Sequence, residues 1–549
     1  MNPKRSTRQS LRKIRSLFYN PATDSINFLF KCIERAHARI LKHTKLLKGT
    51  IPLNESDYAV LTKGFQLPES GLSETEIAKL TADLFMGVPR WHSPHAMYNV
   101  APPPLLQTIA GKAVGSLYNP NLLWDTAAGM TVVAEQRVIK AIAEYIGWDR
   151  ENAGGSFTFG GKATTLYGIK LGLKKCSEDS SVSGVKEDVV VFSTKACHPS
   201  HTSDAEWLGI GSKNLIRLNT EPDGTVDLNG METAVETALK NEKKVAAIII
   251  SGGTTNDMIV DPIKKVVELR NRIVEKLGLQ YVPHVHVDAV VGFPWIFFKD
   301  YDMKKNPLGM SQELQSNILK IVTNLSGLKY ADSFGIDFHK MGFCPYTSSL
   351  FMVKDKASFY RGGGNSVKFG QYTPFMYTIE NSRSGDGPIS AYIALNTLGI
   401  KGFQTLIAHL AETAIGLRHT LEKSNQFDVI NKTGCGNAVL FVPKVPAWIK
   451  LETNEKESVQ NKYTTTFLEA LRDLGNPFFI DMVPEYSTGA SIYPYKTLKA
   501  YVMSPYAKQE INNEFVSAML ELKKKIDRTF DFSKTNNEKF SSGSTHPLK

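Results

Sequence analysis

Cysteine is scarce in this chain and scattered. Cys32, Cys176, Cys197, Cys344 and Cys435 form no CxxC pair within 549 residues, which argues against a disulfide framework and a structural zinc site and points to reduced thiols. No run approaches the ~20 consecutive apolar residues of a membrane span, and charged, apolar and small-residue regions do not line up as a secretory signal. A cytoplasmic protein without a membrane span is expected. Aromatic residues are absent before Phe18, so the stacking platforms of a single-strand nucleic-acid binder are missing from the most basic part of the chain. There are no internal repeats.

What is present is ordinary in bulk: 42% hydrophobic and 22% charged residues, at a length that exceeds one hydrophobic core and implies two or three domains. The formal net charge of +11 looks like a nucleic-acid signal until it is located. Residues 1–48 hold twelve Lys/Arg against Asp24 and Glu34, so the remainder is near neutral. Basicity belongs to an N-terminal arm, read as solvated and with no nucleic-acid partner.

From Ile26 to Leu47, apolar residues recur at three- and four-residue steps, as in an amphipathic helix that needs a partner surface. A second helix should begin near Ser73, where Ser73-Glu-Thr-Glu76 offers a cap and early acids. The proline-rich stretch from Trp91 to Pro104 reads as an ordered loop. Between about 130 and 350, helical patterns alternate with β-branched strands at Val189–Phe192, Val245–Ser251, His284–Val287, Ser333–Ile336 and Ser348–Val353, an α/β pattern. Tyr301–Lys329 reads as an insertion or long connector with one helix. Beyond Pro388, helical signals and then short strands around Ala438–Val442 suggest a smaller α+β domain. Ser533–Lys549 is polar enough to be disordered.

Two strands end in ionisable side chains. Tyr281-Val-Pro-His-Val-His-Val-Asp288 closes on a carboxylate, and Asp332-Ser-Phe-Gly-Ile-Asp-Phe-His-Lys340 closes on a lysine 52 residues later. Buried strands emerge with such groups at the carboxyl edge of a sheet. A lysine amine there can form a Schiff base with an aldehyde, and a carboxylate can hold a pyridine nitrogen protonated, so the pair reads as a pyridoxal phosphate (PLP) site. Burial is expected to lower the Lys340 pKa toward the free amine.

The glycine-rich turn Gly154-Gly-Ser-Phe-Thr-Phe-Gly-Gly-Lys-Ala-Thr-Thr165 leads into a helix, where backbone N–H groups can meet a phosphate; it matches neither GxxxxGK[ST] nor GxGxxG. His198, after a strand, could lie over a flat cofactor, and Thr255, after Gly252-Gly-Thr, could meet a ring oxygen. Arg383, among small residues, could clamp a carboxylate. Arg361 to Tyr372 reads as a mobile loop with an aromatic hydroxyl near its end. Each residue alone is explicable as an ordinary loop, turn or surface group. Metal binding by His284, His286 and Asp288 is the weaker reading; one imidazole hydrogen-bonded to its neighbouring carboxylate is preferred, and no metal is expected.

These segments resemble the PLP-dependent group II amino acid decarboxylases, the glutamate, aromatic, tyrosine and aspartate decarboxylases among them. His286-Val-Asp288-Ala, His339-Lys340-Met-Gly, Gly253-Thr-Thr with Asp261-Pro-Ile263, and Ser382-Arg383-Ser-Gly385 stand in that family's order, from about Trp91 to Phe403. The resemblance implies an α/β chain of PLP-dependent transferase fold type I (aspartate aminotransferase-like), with a large domain on a mixed, mostly parallel sheet and a smaller C-terminal α+β domain. Expected divisions are a basic arm (1–20), a helical dimerisation segment (21–115), the PLP-binding domain (116–387), the small domain (388–532) and a tail (533–549). Lys340 resembles the lysine that forms the internal aldimine, Asp288 the partner of the pyridine nitrogen, and His198 the imidazole stacked on the ring. Thr255 resembles a ring contact, His339, Gly161 and Lys162 phosphate-binding positions, and Arg383 the substrate-carboxylate residue. Tyr372 corresponds to a proton-donating tyrosine on a loop lent by the partner of a homodimer. The implied activity is decarboxylation of an L-amino acid, a small-molecule substrate, to the corresponding amine and CO2. Its rivals are a carbon–carbon lyase similar to sphingosine phosphate lyase and a catalytically degenerate PLP-fold binding protein. Val290-Val-Gly-Phe293, Phe159 and Lys162 depart from the family pattern and alter the cofactor and substrate walls.

Overall fold

The computed structural model describes residues 25–43 and 59–532, except 61, 65, 86, 187, 361–369, 433, 448, 450–452, 476 and 487–494. The basic arm, the C-terminal tail and the first part of the loop that starts at position 361 lie outside the described residues. The strands are β1 (Ala96–Met97), β2 (Gly154–Thr158), β3 (Val189–Thr194), β4 (Leu215–Leu218), β5 (Lys244–Ser251), β6 (His284–Asp288), β7 (Ser333–Asp337), β8 (Ser349–Val353), β9 (Phe427–Val429), β10 (Ala438–Pro443), β11 (Phe479–Tyr486) and β12 (Tyr495–Tyr501). The helices include α1 (Ser25–His43), α2 (Glu74–Asp83), α3 (Leu106–Tyr118), α4 (Thr131–Ile146), α5 (Gly161–Cys176), α6 (His201–Trp207), α7 (Asp386–Lys423) and α8 (Gln509–Thr529).

Seven strands form the large sheet in the order β2-β8-β7-β6-β5-β3-β4. From β7 to β4 all neighbours are parallel, whereas β8 runs antiparallel to both β7 and β2. The parallel strands are covered on both faces, so Val189-Val-Val-Phe192 and Val245-Ala-Ala-Ile-Ile-Ile250 are continuous apolar runs with every residue buried. Helix α5 lies against β5, β6, β7 and β8. Register then fixes the site: Ser251 stands opposite Asp288, and Asp288 opposite Gly335. The carboxyl ends of β3, β5, β6 and β7 therefore open on one edge.

A five-stranded sheet, β1-β11-β12-β10-β9, builds the C-terminal part. Its edge comes from far away in sequence. Part of the Trp91–Pro104 stretch, expected as loop, pairs as β1 in parallel with β11. The long helix α7 packs on α3, α4 and α8 and links the two sheets. Gly399 breaks it at φ 56°, a left-handed conformation that glycine adopts without a Cβ penalty.

Elsewhere the sequence reading meets the structure closely. Ser73 caps α2 through a capping box with Glu76, and the connector after Tyr301 carries one α-helix, Gln312–Leu325. One expectation is corrected: Gly154–Thr158 is the buried strand β2, hydrogen-bonded to β8, and the turn is confined to Phe159 and Gly160. The two glycines at its start hid a strand because glycine reads as a breaker.

Candidate active site

Lys340 lies in the turn just past β7, and its Nζ is 2.9 Å from Oδ2 of Asp337, the last residue of that strand. Asp337 is buried, and its Oδ1 accepts a hydrogen bond from the Ser349 hydroxyl at 2.5 Å. Burial alone would strip the proton from Lys340, but the Asp337 and Asp288 carboxylates outweigh it and the pKa is raised. The expectation of a lowered lysine pKa is thus corrected. The turn closes at Phe343, a buried non-glycine residue with φ 55°, a strained conformation of the kind that clusters at functional sites.

Asp288 ends β6 and points toward α6. His201 Nε2 lies 3.2 Å from its Oδ2, and the same ring contacts the Ser193 hydroxyl through Nδ1 at 2.9 Å. Burial works against the charge on Asp288, yet the His201 hydrogen bond and the charges of His201, Lys340 and His198 hold its carboxyl well below the usual range. The preferred pairing of Asp288 with a strand neighbour is corrected: His284 and His286 both bond the Ser333 hydroxyl, at 2.7 and 2.8 Å. Among the described residues no three His, Cys, Asp or Glu side chains are grouped to hold a metal.

His198 is exposed at the rim, its Nδ1 2.8 Å from the Ser200 hydroxyl, within electrostatic reach of Asp288 and Lys340. Arg217 on β4 ties this loop down. Its guanidinium donates to Ser193 Oγ and the Thr194 carbonyl at 3.2 Å and to the carbonyls of His198 and Pro199 at 3.3 Å. His339 is buried, 3.6 Å from Asp337 through Nε2, with its ring 4.3 Å from that of Tyr346. Thr255 is half-buried in the turn after β5; the neighbouring Thr254 closes that turn by bonding Ile259 through both its amide and its hydroxyl.

At the start of α5, Gly160 is an N-cap without a side-chain cap, which leaves helix N–H groups facing the site. A Cβ on Gly161 would come within 2.8 Å of Asp337 Oδ2, so only glycine lets the helix end approach that carboxylate. Lys162 turns toward α6, with its ammonium 2.7 Å from Ser203 Oγ and 3.8 Å from Asp204 Oδ1. Asp204 itself is fully buried, accepts no hydrogen bond, and has its pKa pushed up by burial to about 8. Because the folded state then binds a proton that the unfolded chain releases near pH 4, stability should fall as pH rises from about 4 to 8, by up to about 1.4 kcal/mol per unit. Asp204→Asn should flatten that slope in urea melts at a series of pH values.

Arg383 and Tyr372 are placed elsewhere than expected. Arg383 is buried in a pair with Glu135 of α4, Nη1 to Oε1 at 2.8 Å, and its terminal nitrogens also donate to Ser156 Oγ and to the carbonyls of Phe157 and Leu122. A guanidinium so engaged has no free fork to offer a carboxylate. Tyr372 is buried too, donating its hydroxyl to Glu135 Oε2 of its own chain at 2.7 Å, rather than standing on a loop extended to a partner. Glu380 completes this shell by accepting from Thr158 Oγ1, the Phe159 amide and the Tyr167 hydroxyl.

The structure therefore gathers Lys340, Asp288, His198, His339 and Gly161 and separates Arg383 and Tyr372. It adds Asp337, His201, Arg217, Asp204 and Glu135. Asp337 carried a signal, three residues before the lysine on an alternating strand; Arg217 and Glu135 carried none.

Residues 316–443, which include Lys340, match the pyridoxal-dependent decarboxylase conserved domain. Over those residues the chain is similar to that family. It is 20% identical over 370 residues to an L-2,4-diaminobutyrate decarboxylase of Acinetobacter baumannii, covering 63% of this chain and 66% of that one. An L-aspartate decarboxylase of Metarhizium robertsii is 23% identical over 390 residues, covering 68% and 70%. An L-2,4-diaminobutyrate decarboxylase of Rhizobium meliloti is matched over 47% of its length, so the chain spans between about half and two thirds of several of its curated relatives. Among solved structures, mouse CSAD superposes with a TM-score of 0.74 at 16% identity, covering 91% of this chain and 99% of that one. Oryza sativa TDC with PLP and tryptamine gives 0.73 at 15%, covering 92% and 99%. The chain thus shares the fold of these structures, the α/β type I fold expected from the sequence.

The residues present fit that cofactor. A half-buried carboxylate held ionised suits the ring nitrogen, a lysine at the strand end suits the aldehyde, and the uncapped α5 terminus suits a phosphate.

Proposed function

We propose that the protein decarboxylates an L-amino acid to its amine and CO2 with PLP as cofactor. The observation that carries this reading is the convergence of Lys340 and Asp288 on one sheet edge, with Asp288 kept anionic chiefly by His201. When bound, PLP supplies a sink for the electron pair left behind as the carboxylate departs. Lys340 would hold the cofactor and exchange it for the substrate amine. Asp288 would hold a proton on the ring nitrogen, His198 and Thr255 would border the ring, and the α5 terminus with His339 would take the phosphate. Arg383 acts here as a positioning residue, fixing β2 and hence the start of α5 through Glu135. The relatives' names, diaminobutyrate and aspartate decarboxylases, favour a free amino acid over a phosphorylated sphingoid substrate.

We assign a homodimer as the working form, in the cytoplasm. Leu106, Val114 and Tyr118 on α3, and Phe30, Ile33 and Leu41 on α1, are exposed in the single chain, an apolar area suited to a second copy. Among the described residues no helix is long and apolar enough to cross a membrane.

A panel of the proteinogenic L-amino acids and 2,4-diaminobutyrate, assayed with PLP for CO2 and amine, tests the reading. Equimolar release of both from at least one substrate is expected; cleavage of a phosphorylated sphingoid base with no CO2 from any amino acid would refute it.

A further inference from the structure

We propose that Asp337 is a positioning residue for Lys340: it holds the lysine as an ammonium ion before the cofactor enters, and its Oδ2 receives the proton that Nζ must release to attack an aldehyde. The inference rests on the PLP reading above. Three observations carry it. The Nζ to Oδ2 distance is 2.9 Å, the carboxylate is buried, and its other oxygen is fixed by Ser349 at 2.5 Å. A proton moving along that contact leaves a neutral amine on Lys340 and a neutral carboxyl on Asp337, so charge is conserved across the pair.

The position of the carboxylate supplies the reason. Oδ2 lies 2.8 Å from where a Cβ of Gly161 would be, against the α5 terminus that suits a phosphate. An ionised Asp337 there would repel an incoming phosphate. Once it has taken the lysine proton it repels nothing and can donate a hydrogen bond. Deprotonation of the amine and admission of the phosphate are thereby coupled through one side chain.

Other charged or titratable groups also face this pair. Lys340 meets Asp288 from β6, Tyr346 from the following loop and His198 from the loop after β3. Asp337 meets His339 at 3.6 Å. Asp288 is the competing partner, but it is already engaged by His201 at 3.2 Å.

The test uses full-length, cofactor-free protein and needs no turnover. Lysines are trace-labelled with acetic anhydride across a pH series, and the Lys340 peptide is compared by mass spectrometry with that of the exposed Lys305. Asp337→Asn should lower the labelling midpoint of Lys340 by about one pH unit or more, a tenfold gain in reactivity below the midpoint, with Lys305 unchanged. Asp337→Glu should restore most of the wild-type midpoint. If Asp337→Asn does not fold, as judged by circular dichroism, Ser349→Ala provides the milder arm, with a smaller shift in the same direction. A Lys340 midpoint unmoved in folded Asp337→Asn, or in Ser349→Ala where the first does not fold, overturns the proposal, the more so if Asp288→Asn moves it. Labelling as expected in a protein that releases no CO2 would overturn the decarboxylase reading alone.

Discussion

Lys340→Arg is expected to reduce CO2 release by at least about a thousandfold while leaving the urea midpoint near that of wild type. An arginine keeps a cation on Asp337, so the buried carboxylate stays paired. It cannot give up a proton at neutral pH, so the nucleophilic amine is lost. Lys340→Ala should be equally inactive but less stable, because it strands Asp337, which is buried and otherwise held mainly by Ser349. Steady-state amine formation and urea melts of the two variants separate chemistry from folding. Residual turnover in Lys340→Arg within tenfold of wild type would mean that another nucleophile serves.

The largest effect on stability should come from Glu135→Ala, which is expected to cost about 3–5 kcal/mol, as when one partner of a buried ion pair is removed. Glu135 is fully buried on α4 and accepts from the Arg383 guanidinium at 2.8 Å, the Tyr372 hydroxyl at 2.7 Å and the Phe157 amide at 2.9 Å. The truncation leaves a buried cation, a buried phenol and a strand amide without their acceptor. Glu135→Gln, which keeps the shape and one acceptor, should cost less. Because Arg383 also donates to Ser156 and Phe157, loosening β2 should reach the start of α5, and PLP affinity should fall together with the melting midpoint. Equal midpoints for wild type and Glu135→Ala would show that the network is dispensable.

The part of this site that could be read from sequence is the part carried by strand periodicity. Asp288 and Lys340 end runs of alternating apolar residues, and parallel strands present such ends on one edge, so both residues and the α/β class followed from the pattern. What escaped was set by tertiary neighbours. That His201, and not His284 or His286, bonds Asp288 depends on how α6 docks. Arg383, set among small residues, looked like a surface clamp, and only its partner Glu135, on a helix 248 positions earlier, makes it an interior brace. Lys340 was expected to lose its proton through burial, the sign that desolvation alone would give; the nearby Asp337 reverses it. Trp91–Pro104 likewise hid strand β1 because its partner, β11, lies far along the chain.

The most direct measurement is borohydride reduction of the full-length protein after incubation with PLP, followed by peptide mapping. The expected result is one phosphopyridoxyl group per chain, on Lys340, with the parent absorbance band altered in Asp288→Asn. A label on another lysine, or none, would contradict the assignment of Lys340 and Asp288 as the two poles of the site.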